Sequence, residues 1–312
     1  MDKYFHIATD AYTNYWHFFY DAVLHPHWHN YFYWLVGASV VIYGLEIMFP
    51  WRKNQPLIRE NFWIDIFYLF WNYFLFSLVV YNALSTVFVQ LFNDFLGLFG
   101  VTNLMAIYVG NLPAWVQLLI IFVLRDFMQW NIHRLLHHTP WMWEFHKVHH
   151  STEVMGFAAL MRYHFMENII YRSLEYLPLA MIGFGISDFF IVHMFTLILG
   201  QLGHANLYIN AGPVKYLLNN PQMHLWHHAK EFPESHPKGM NFGISLSAWD
   251  YLFRTDYQPF DDENLPIGLP DADKLPSDFI GQTWQPFKKV FGLKKEKGIS
   301  NIENGTRNIE VK

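Results

Sequence analysis

HRLLHHTPWMWEFHKVHH, residues 133–150, holds six of the chain's 18 histidines. It opens with His133-Arg-Leu-Leu-His137-His138 and closes with His146-Lys-Val-His149-His150. The second spacing, HxxHH, returns downstream as His224-Leu-Trp-His227-His228. On an α-helix, positions i, i+3 and i+4 share one face, so each HxxHH points three imidazoles into one small volume. His133 and His137 do the same at i, i+4, and His138 offers a second way to complete that first box. Leaving His138 aside, the three boxes present eight imidazoles. One tetrahedral zinc takes about four ligands, so two ions with nitrogen-rich shells and open positions fit better. Imidazole suits iron, zinc, copper and nickel alike, so the spacing alone does not choose the metal.

Outward from the boxes the chain turns apolar. Of its 312 residues 53% are hydrophobic and 20% aromatic, and only 15% are charged; a soluble domain carries about 25% charged residues. The shortfall points to an all-α integral membrane protein. Four stretches read as transmembrane or half-spanning helical segments: Phe32 to Phe49, broken by Glu46; Phe62 to about Leu91, interrupted by Asp65; Pro113 to about Gln129, with Arg125 and Asp126 at its far end; and Ile169 to Leu202. The last has Pro178, Gly183, Gly185 and a polar Ser187-Asp188 break, and reads as a hairpin. Trp and Tyr crowd the flanks, as at a membrane interface.

Basic residues set the orientation. Arg52, Lys53 and Arg59 lie between the first two spans, and the next is Arg125; Arg134, Lys147, Arg162, Lys215, Lys230, Lys238 and Arg254 follow. The positive-inside rule puts the 52–60 loop and the boxes on the cytoplasmic side. His6, His17, His25, His27 and His29 precede the first span, on the opposite side, and are left out of the metal site.

The remaining composition excludes whole classes. With no cysteine there are no disulfides, thiolate zinc sites, iron–sulfur clusters or cysteine nucleophiles. A net charge of −5 argues against nucleic acid. The start, MDKYFHIATDAY, lacks a signal-peptide profile, so membrane insertion is expected from internal spans. After Phe253 the chain turns polar, and its last twenty or so residues read as disordered.

The run Asp126…His133-Arg-Leu-Leu-His137, Trp143 and His146-Lys-Val-His149-His150-Ser151 resembles the fatty acid hydroxylase/sterol desaturase superfamily. Further matches follow in order: Arg162-Tyr-His164…Glu167, with Phe165 where the family has proline; His204-Ala-Asn206; Asn220-Pro-Gln-Met-His224-Leu-Trp-His227-His228; and Asn241-Phe-Gly243…Trp249-Asp250…Phe253, with Arg254 in place of a glycine. The resemblance covers about residues 122 to 256, and its spacing of nine to His146 favours His137 over His138.

The resemblance implies two iron ions (Fe2+/Fe3+) in a non-haem centre that takes O2 as co-substrate and hydroxylates or desaturates a C–H bond of a lipid. Such a bond needs an oxidant stronger than any side chain. The implied ligands are His133, His137, His146, His149, His150, His204, His224, His227 and His228. His138, His164, His236, Asp126, Asn206, Asn241 and Asp250 are further candidates, as ligands or as groups that orient a ligand. No GxGxxG or cytochrome b5 haem motif is present, so electrons are expected from a separate reductase, ferredoxin or cytochrome b5-like donor. The resulting organisation is an N-terminal segment 1–31, a transmembrane region 32–121, a di-iron domain 122–256 with a membrane hairpin at 168–203, and a cytosolic tail 257–312. The boxes form a cytosolic helical cap. Inside the hairpin, Arg172 and Glu175 are expected to pair with each other, and His193 to bond a neighbouring backbone group or Asp188. The competing readings are a histidine-rich metal transporter, whose ligands would sit at mid-membrane depth, and a zinc-dependent membrane hydrolase, for which HExxH is missing.

Overall fold

The computed structural model describes residues 2–26, 31–76, 82–101, 105–184, 186–270 and 275–292. The expected disorder at the C-terminus lies outside these residues. Among the described residues there is no strand, only isolated bridges such as Pro50 with Leu207.

Among the described residues eleven helices carry the fold: α1 Asp2–Leu24, α2 Tyr31–Met48, α3 Phe62–Phe70, α4 Asn82–Gly97, α5 Ala114–His138, α6 Pro140–His150, α7 Phe165–Met181, α8 Ile186–His204, α9 Pro221–His227, α10 Ala248–Phe253 and α11 Phe279–Val290. A wider turn, Trp71–Leu75, prolongs α3, and a tight turn, Phe157–Met161, lies between α6 and α7. Three of the four expected stretches are found as helices or a hairpin, α2, α5 and α7–α8. The second, Phe62 to Leu91, is divided between α3 and α4, with residues 77–81 outside the described set.

Among the described residues no helix is long and apolar enough to cross a membrane. Lengths and sequence give the reason. The 18 residues of α2 and 19 of α8 reach only about 27–29 Å at 1.5 Å per residue, against a hydrocarbon core of about 30 Å. The 25 residues of α5 are long enough but carry Arg125, Asp126 and the first box.

Polar residues that interrupt the apolar stretches turn inward. Asp65 of α3 is fully buried between Arg59 (2.5 Å) and Arg162 (2.5 Å). Glu46 of α2 accepts the backbone N–H groups of Phe157 (2.9 Å) and Asn206 (2.6 Å). Each ties an N-terminal helix to a loop that borders the boxes. Apolar packing follows the same seams: Leu35, Leu69, Met161 and Leu197 form one core, and Ile42, Phe157, Ala158, Ala205 and Leu207 another.

In the hairpin the expected pairing is corrected. Glu175 binds Arg125 of α5 (3.1 Å), not Arg172, because α7 packs on α5 and brings the two together. The same guanidinium donates to Thr196 (2.7 Å) and to His193 Nδ1 (3.0 Å), so His193 bonds an arginine of α5. A buried arginine needs its donors filled, and α7 and α8 fill them.

Candidate metal centre

Local rules position the boxes. Thr139, extended at φ −99° and ψ 113°, precedes Pro140; a residue before proline avoids the helical region, and proline suits the first helical position. This one-residue corner ends α5 and starts α6, folding the second box back on the first. Asn220 caps α9, its side chain accepting from Met223 N–H at 3.0 Å, and Pro221 follows. The third box therefore sits on a helix of seven residues, packed against the end of α8 that carries His204.

Nine imidazoles form two clusters, each with its ligand atoms within 4.8 Å of one another. The first joins His133, His137, His146, His150 and His227; the second joins His149, His204, His224 and His228. Each HxxHH box is divided rather than pointing into one volume. The second box sends its i and i+4 members to the first cluster and its i+3 member to the second. The third box does the reverse. The clusters adjoin, with the His150 and His228 rings stacked at 4.4 Å between centroids.

The nitrogens face each other as in a ligand shell. Nε2 of His133 lies 3.2 Å from that of His146, and Nε2 of His137 lies 3.1 Å from that of His150. In the second cluster, His204 Nε2 is 3.2 Å from His149 Nε2 and 2.9 Å from His224 Nε2. Nε2 of His227 and both ring nitrogens of His228 are buried without a hydrogen-bond partner. Orphaned buried nitrogens are costly unless something accepts their lone pairs. Burial also pushes the imidazoles below their ordinary range, His133 to about 4 and His204 to about 3. They are neutral at pH 7, the state that binds a metal. The donor set fits two ions such as iron.

The outward nitrogens are held by hydrogen bonds that set ring orientation. His133 Nδ1 donates to the Phe242 carbonyl (2.8 Å), His227 Nδ1 to Met240 (2.7 Å), and His137 to the backbone of Lys238. Three alternate residues of one loop, 238, 240 and 242, thus hold three ligands of the first cluster, and the left-handed Gly239 and Asn241 between them turn their backbones the same way. His149 Nδ1 donates to Arg162 O (3.0 Å) and His204 Nδ1 to Gly200 O (2.8 Å). His146 Nδ1 meets the buried carboxyl of Glu167 at 2.8 Å. Burial raises that carboxyl well above its usual range, and the imidazole is its recorded side-chain partner.

The remaining candidates fall into place around this frame. His138 is exposed and bonds Arg134 O (2.8 Å), so His137, not His138, faces the cluster. His164 uses both ring nitrogens elsewhere, donating to Thr283 O (2.9 Å) and accepting from Met166 N–H (3.1 Å). His236 touches Ser235 and Tyr257, outside both clusters. Asp250 accepts from Phe242 N–H (2.9 Å), Gly243 N–H (2.8 Å), Trp130 Nε1 (2.9 Å) and Thr255 Oγ1 (2.6 Å), pinning the carbonyl loop. Asn241, at φ 53°, ties that loop to Met223 O in α9. Asp126 holds Ser245, Leu246 and Trp249, and Asn206 bonds the backbone of Arg52. His27 and His29 lie outside the described residues.

Sequence reasoning missed the carbonyl loop, because a main-chain acceptor has no residue signature. Its one trace is Gly239, at φ +104°, where a Cβ would sit 2.8 Å from His137 Nδ1. It also missed a cavity of about 780 Å³ that reaches His150 between Trp143, Phe232, Leu269 and Lys230. Trp143 lies against His137 at 4.8 Å and His150 at 5.2 Å.

A model of the fatty acid hydroxylase family matches residues 118–255, the segment that carries every clustered imidazole. An ornithine lipid hydroxylase of Rhizobium tropici is 28% identical over 200 residues, 62% of this chain and 59% of that protein. An alkylglycerol monooxygenase of Xenopus tropicalis is 30% identical over 199 residues, 55% of this chain and 43% of that one. A very-long-chain aldehyde decarbonylase of Oryza sativa subsp. indica is 25% identical over 42% of this chain and 22% of its own length. The chain thus spans three fifths or less of these relatives, and no solved structure matches it. Boxes in the same order, divided between two adjoining clusters, and the match over residues 118–255 agree, and together they support the fatty acid hydroxylase/sterol desaturase superfamily for this segment of the chain.

Proposed function

We propose that the chain is an integral-membrane, O2-dependent di-iron oxygenase that hydroxylates a C–H bond of a lipid. The observation that carries this reading is the pair of adjoining all-histidine clusters. Five and four neutral nitrogens are more than one ion uses, and a ligand set without carboxylate or thiolate leaves positions open for O2. His133, His137, His146, His150 and His227 would hold one iron, and His149, His204, His224 and His228 the other. The bound metals supply the O2-derived oxidant that an unactivated C–H bond requires. In the balance, one oxygen atom enters the new C–OH and the other leaves as water. Two electrons come from an external donor and two protons from solvent.

The protein's own part is positioning and exclusion of water. The carbonyls of residues 238, 240 and 242 and the Glu167 carboxyl hold the imidazoles in the tautomer that turns their free nitrogens inward. The cavity beside Trp143 and His150 gives reactants a route to the first cluster. The names of the relatives, hydroxylase and monooxygenase, favour hydroxylation over desaturation, and their substrates favour a lipid.

Exposed apolar surface supports membrane residence. Val40 and Val41 of α2 are 66% and 63% exposed, and Leu84 and Phe88 of α4 are 65% and 68% exposed. Apolar patches of this kind on a monomer mark a protein or membrane contact. With the chain in a membrane, the basic residues of the 52–60 loop and of the segment after Arg125 favour the cytoplasmic side for the boxes. Replacing His149 by alanine tests the assignment: iron and lipid hydroxylation should be lost together. Full iron occupancy with undiminished turnover would sink it.

A further inference from the structure

Helix α11, Phe279–Val290, belongs to the part of the chain that reads in sequence as a polar tail, yet it is docked on the histidine core. Asp278 caps it, accepting from Gly281 N–H at 2.8 Å. Its inner face is committed. Gln282 accepts from the Tyr68 hydroxyl (2.9 Å), and Thr283 O accepts from His164 (2.9 Å). Phe279 packs edge-on against Phe67 (4.8 Å) and Trp71 (5.1 Å), and Phe287 against Phe145 of α6 (5.1 Å).

The outer face is the opposite of what water favours. Ile280, Trp284 and Phe291 are 68%, 58% and 68% exposed. At i, i+4 and i+11 they fall within about 40° on a helical wheel, a single apolar stripe. Lys288 is exposed near its end, about 40° from Trp284 on the same wheel, whereas Lys289 turns to the opposite side and pairs with Glu144 of α6 (3.5 Å); the helix FIGQTWQPFKKV contains no acidic residue. Beside the helix, α3 also exposes apolar rings: Phe67 and Phe70 are 42% and 44% exposed, and Phe67 touches Phe279. A helix with a tryptophan-bearing apolar stripe, a flanking lysine, Lys288, and no acid matches a bilayer interface, with the rings at headgroup depth and the ammonium group toward anionic phosphates.

We propose that α11 is an interfacial helix lying in the plane of an anionic bilayer surface, strapping the second-box helix to the membrane through the Phe287–Phe145 contact, with the His164–Thr283 bond holding it to the segment before α7. The inference rests on the membrane reading above and adds to it a segment that neither hydropathy nor the boxes assign.

The chain has no cysteine, so one introduced thiol reports from one place. Trp284→Cys, Val40→Cys on α2 and Glu234→Cys on an exposed loop each receive a polarity-sensitive fluorophore. The full chain is then reconstituted into phosphatidylcholine/phosphatidylglycerol vesicles carrying nitroxide either near the headgroup or near the chain end. The expected result is several-fold stronger quenching of the Trp284 label by the shallow nitroxide than by the deep one. The Val40 label should be quenched chiefly by the deep nitroxide, and the Glu234 label by neither. Ile280→Cys repeats the measurement on the same stripe if the Trp284 variant fails to fold. A Trp284 label that behaves like Glu234 while Val40 is quenched overturns the inference and leaves the membrane reading standing. Quenching of no label removes the membrane reading and the inference with it. Deep quenching at Trp284, or shielding from aqueous iodide without lipid quenching, assigns the stripe to a spanning segment or a protein partner and also overturns the inference.

Discussion

His137 and His138 are neighbours in sequence with opposite surroundings: one ring is 3.1 Å from His150 in a buried cluster, and the other bonds its own helix at the surface. The account therefore expects His137→Ala to lose iron and His138→Ala to keep the wild-type content, read by elemental analysis of the purified proteins. Glu167 holds His146 at 2.8 Å and would act on a bound metal through that imidazole; an outer partner of this kind is worth roughly 10–100-fold in metal affinity. Glu167→Ala should show a loss of that size in competition with a chelator, and Glu167→Gln, which keeps an acceptor oxygen, a smaller one. Much of this scale is legible in the sequence, because box spacing is a property of side chains on helices. What is not legible is which cluster each member of a box joins. That depends on where α6 and α9 meet, and on carbonyls of residues 238–242 whose side chains say nothing about them.

At the scale of elements, the site hangs on corners and clamps rather than on the long helices. Pro140 turns α5 into α6, and Asn220 with Pro221 starts α9; both signals are readable in sequence. The clamp formed by Asp250 is less so. A WD dipeptide resembles the family ending, yet only folding shows that this carboxylate closes four donors over the loop that orients His133, His137 and His227. An unsatisfied buried donor costs about 1–3 kcal/mol. Asp250→Ala should thus lower unfolding stability by several kcal/mol in a denaturant titration in detergent, and Asp250→Asn by less. The hairpin shows where local reasoning fails. Spacing at i, i+3 suggests an Arg172–Glu175 pair, but tertiary packing brings Arg125 to Glu175 instead. Likewise α11 is a helix where composition reads as tail, because its stabilising contacts come from α3 and α6, far away in sequence.

For the whole molecule, the buried imidazoles set the response to acid. In the folded chain His133 and His164 are pushed to about 4 and His204 to about 3, chiefly by burial, whereas an unfolded histidine titrates near about 6.5. Below that value the unfolded chain takes up protons that the folded imidazoles refuse, so their contribution is full above it and falls as pH drops toward 4; the buried Asp250, raised to about 6, and Glu167, also raised by burial, act the opposite way but are outnumbered by the imidazoles. Metal-stripped protein should lose stability progressively between pH 6.5 and 4, followed by thermal unfolding. A flat profile over that window would contradict the buried, neutral clusters. Membrane residence is less legible than the site. The composition is apolar up to about Phe253, but the helices are short or carry the boxes, and the exposed valines and leucines of α2 and α4 are the surface that the proposed membrane contact would use. The central claim is that this surface and the two clusters together oxidise a lipid with O2. Mass spectrometry of lipids from cells expressing the chain, or its His149→Ala variant, under isotopically heavy O2 tests it most directly. The account predicts a lipid carrying one heavy oxygen in wild-type cells only. A lipid profile identical in both, or an added oxygen that comes from water, would contradict it.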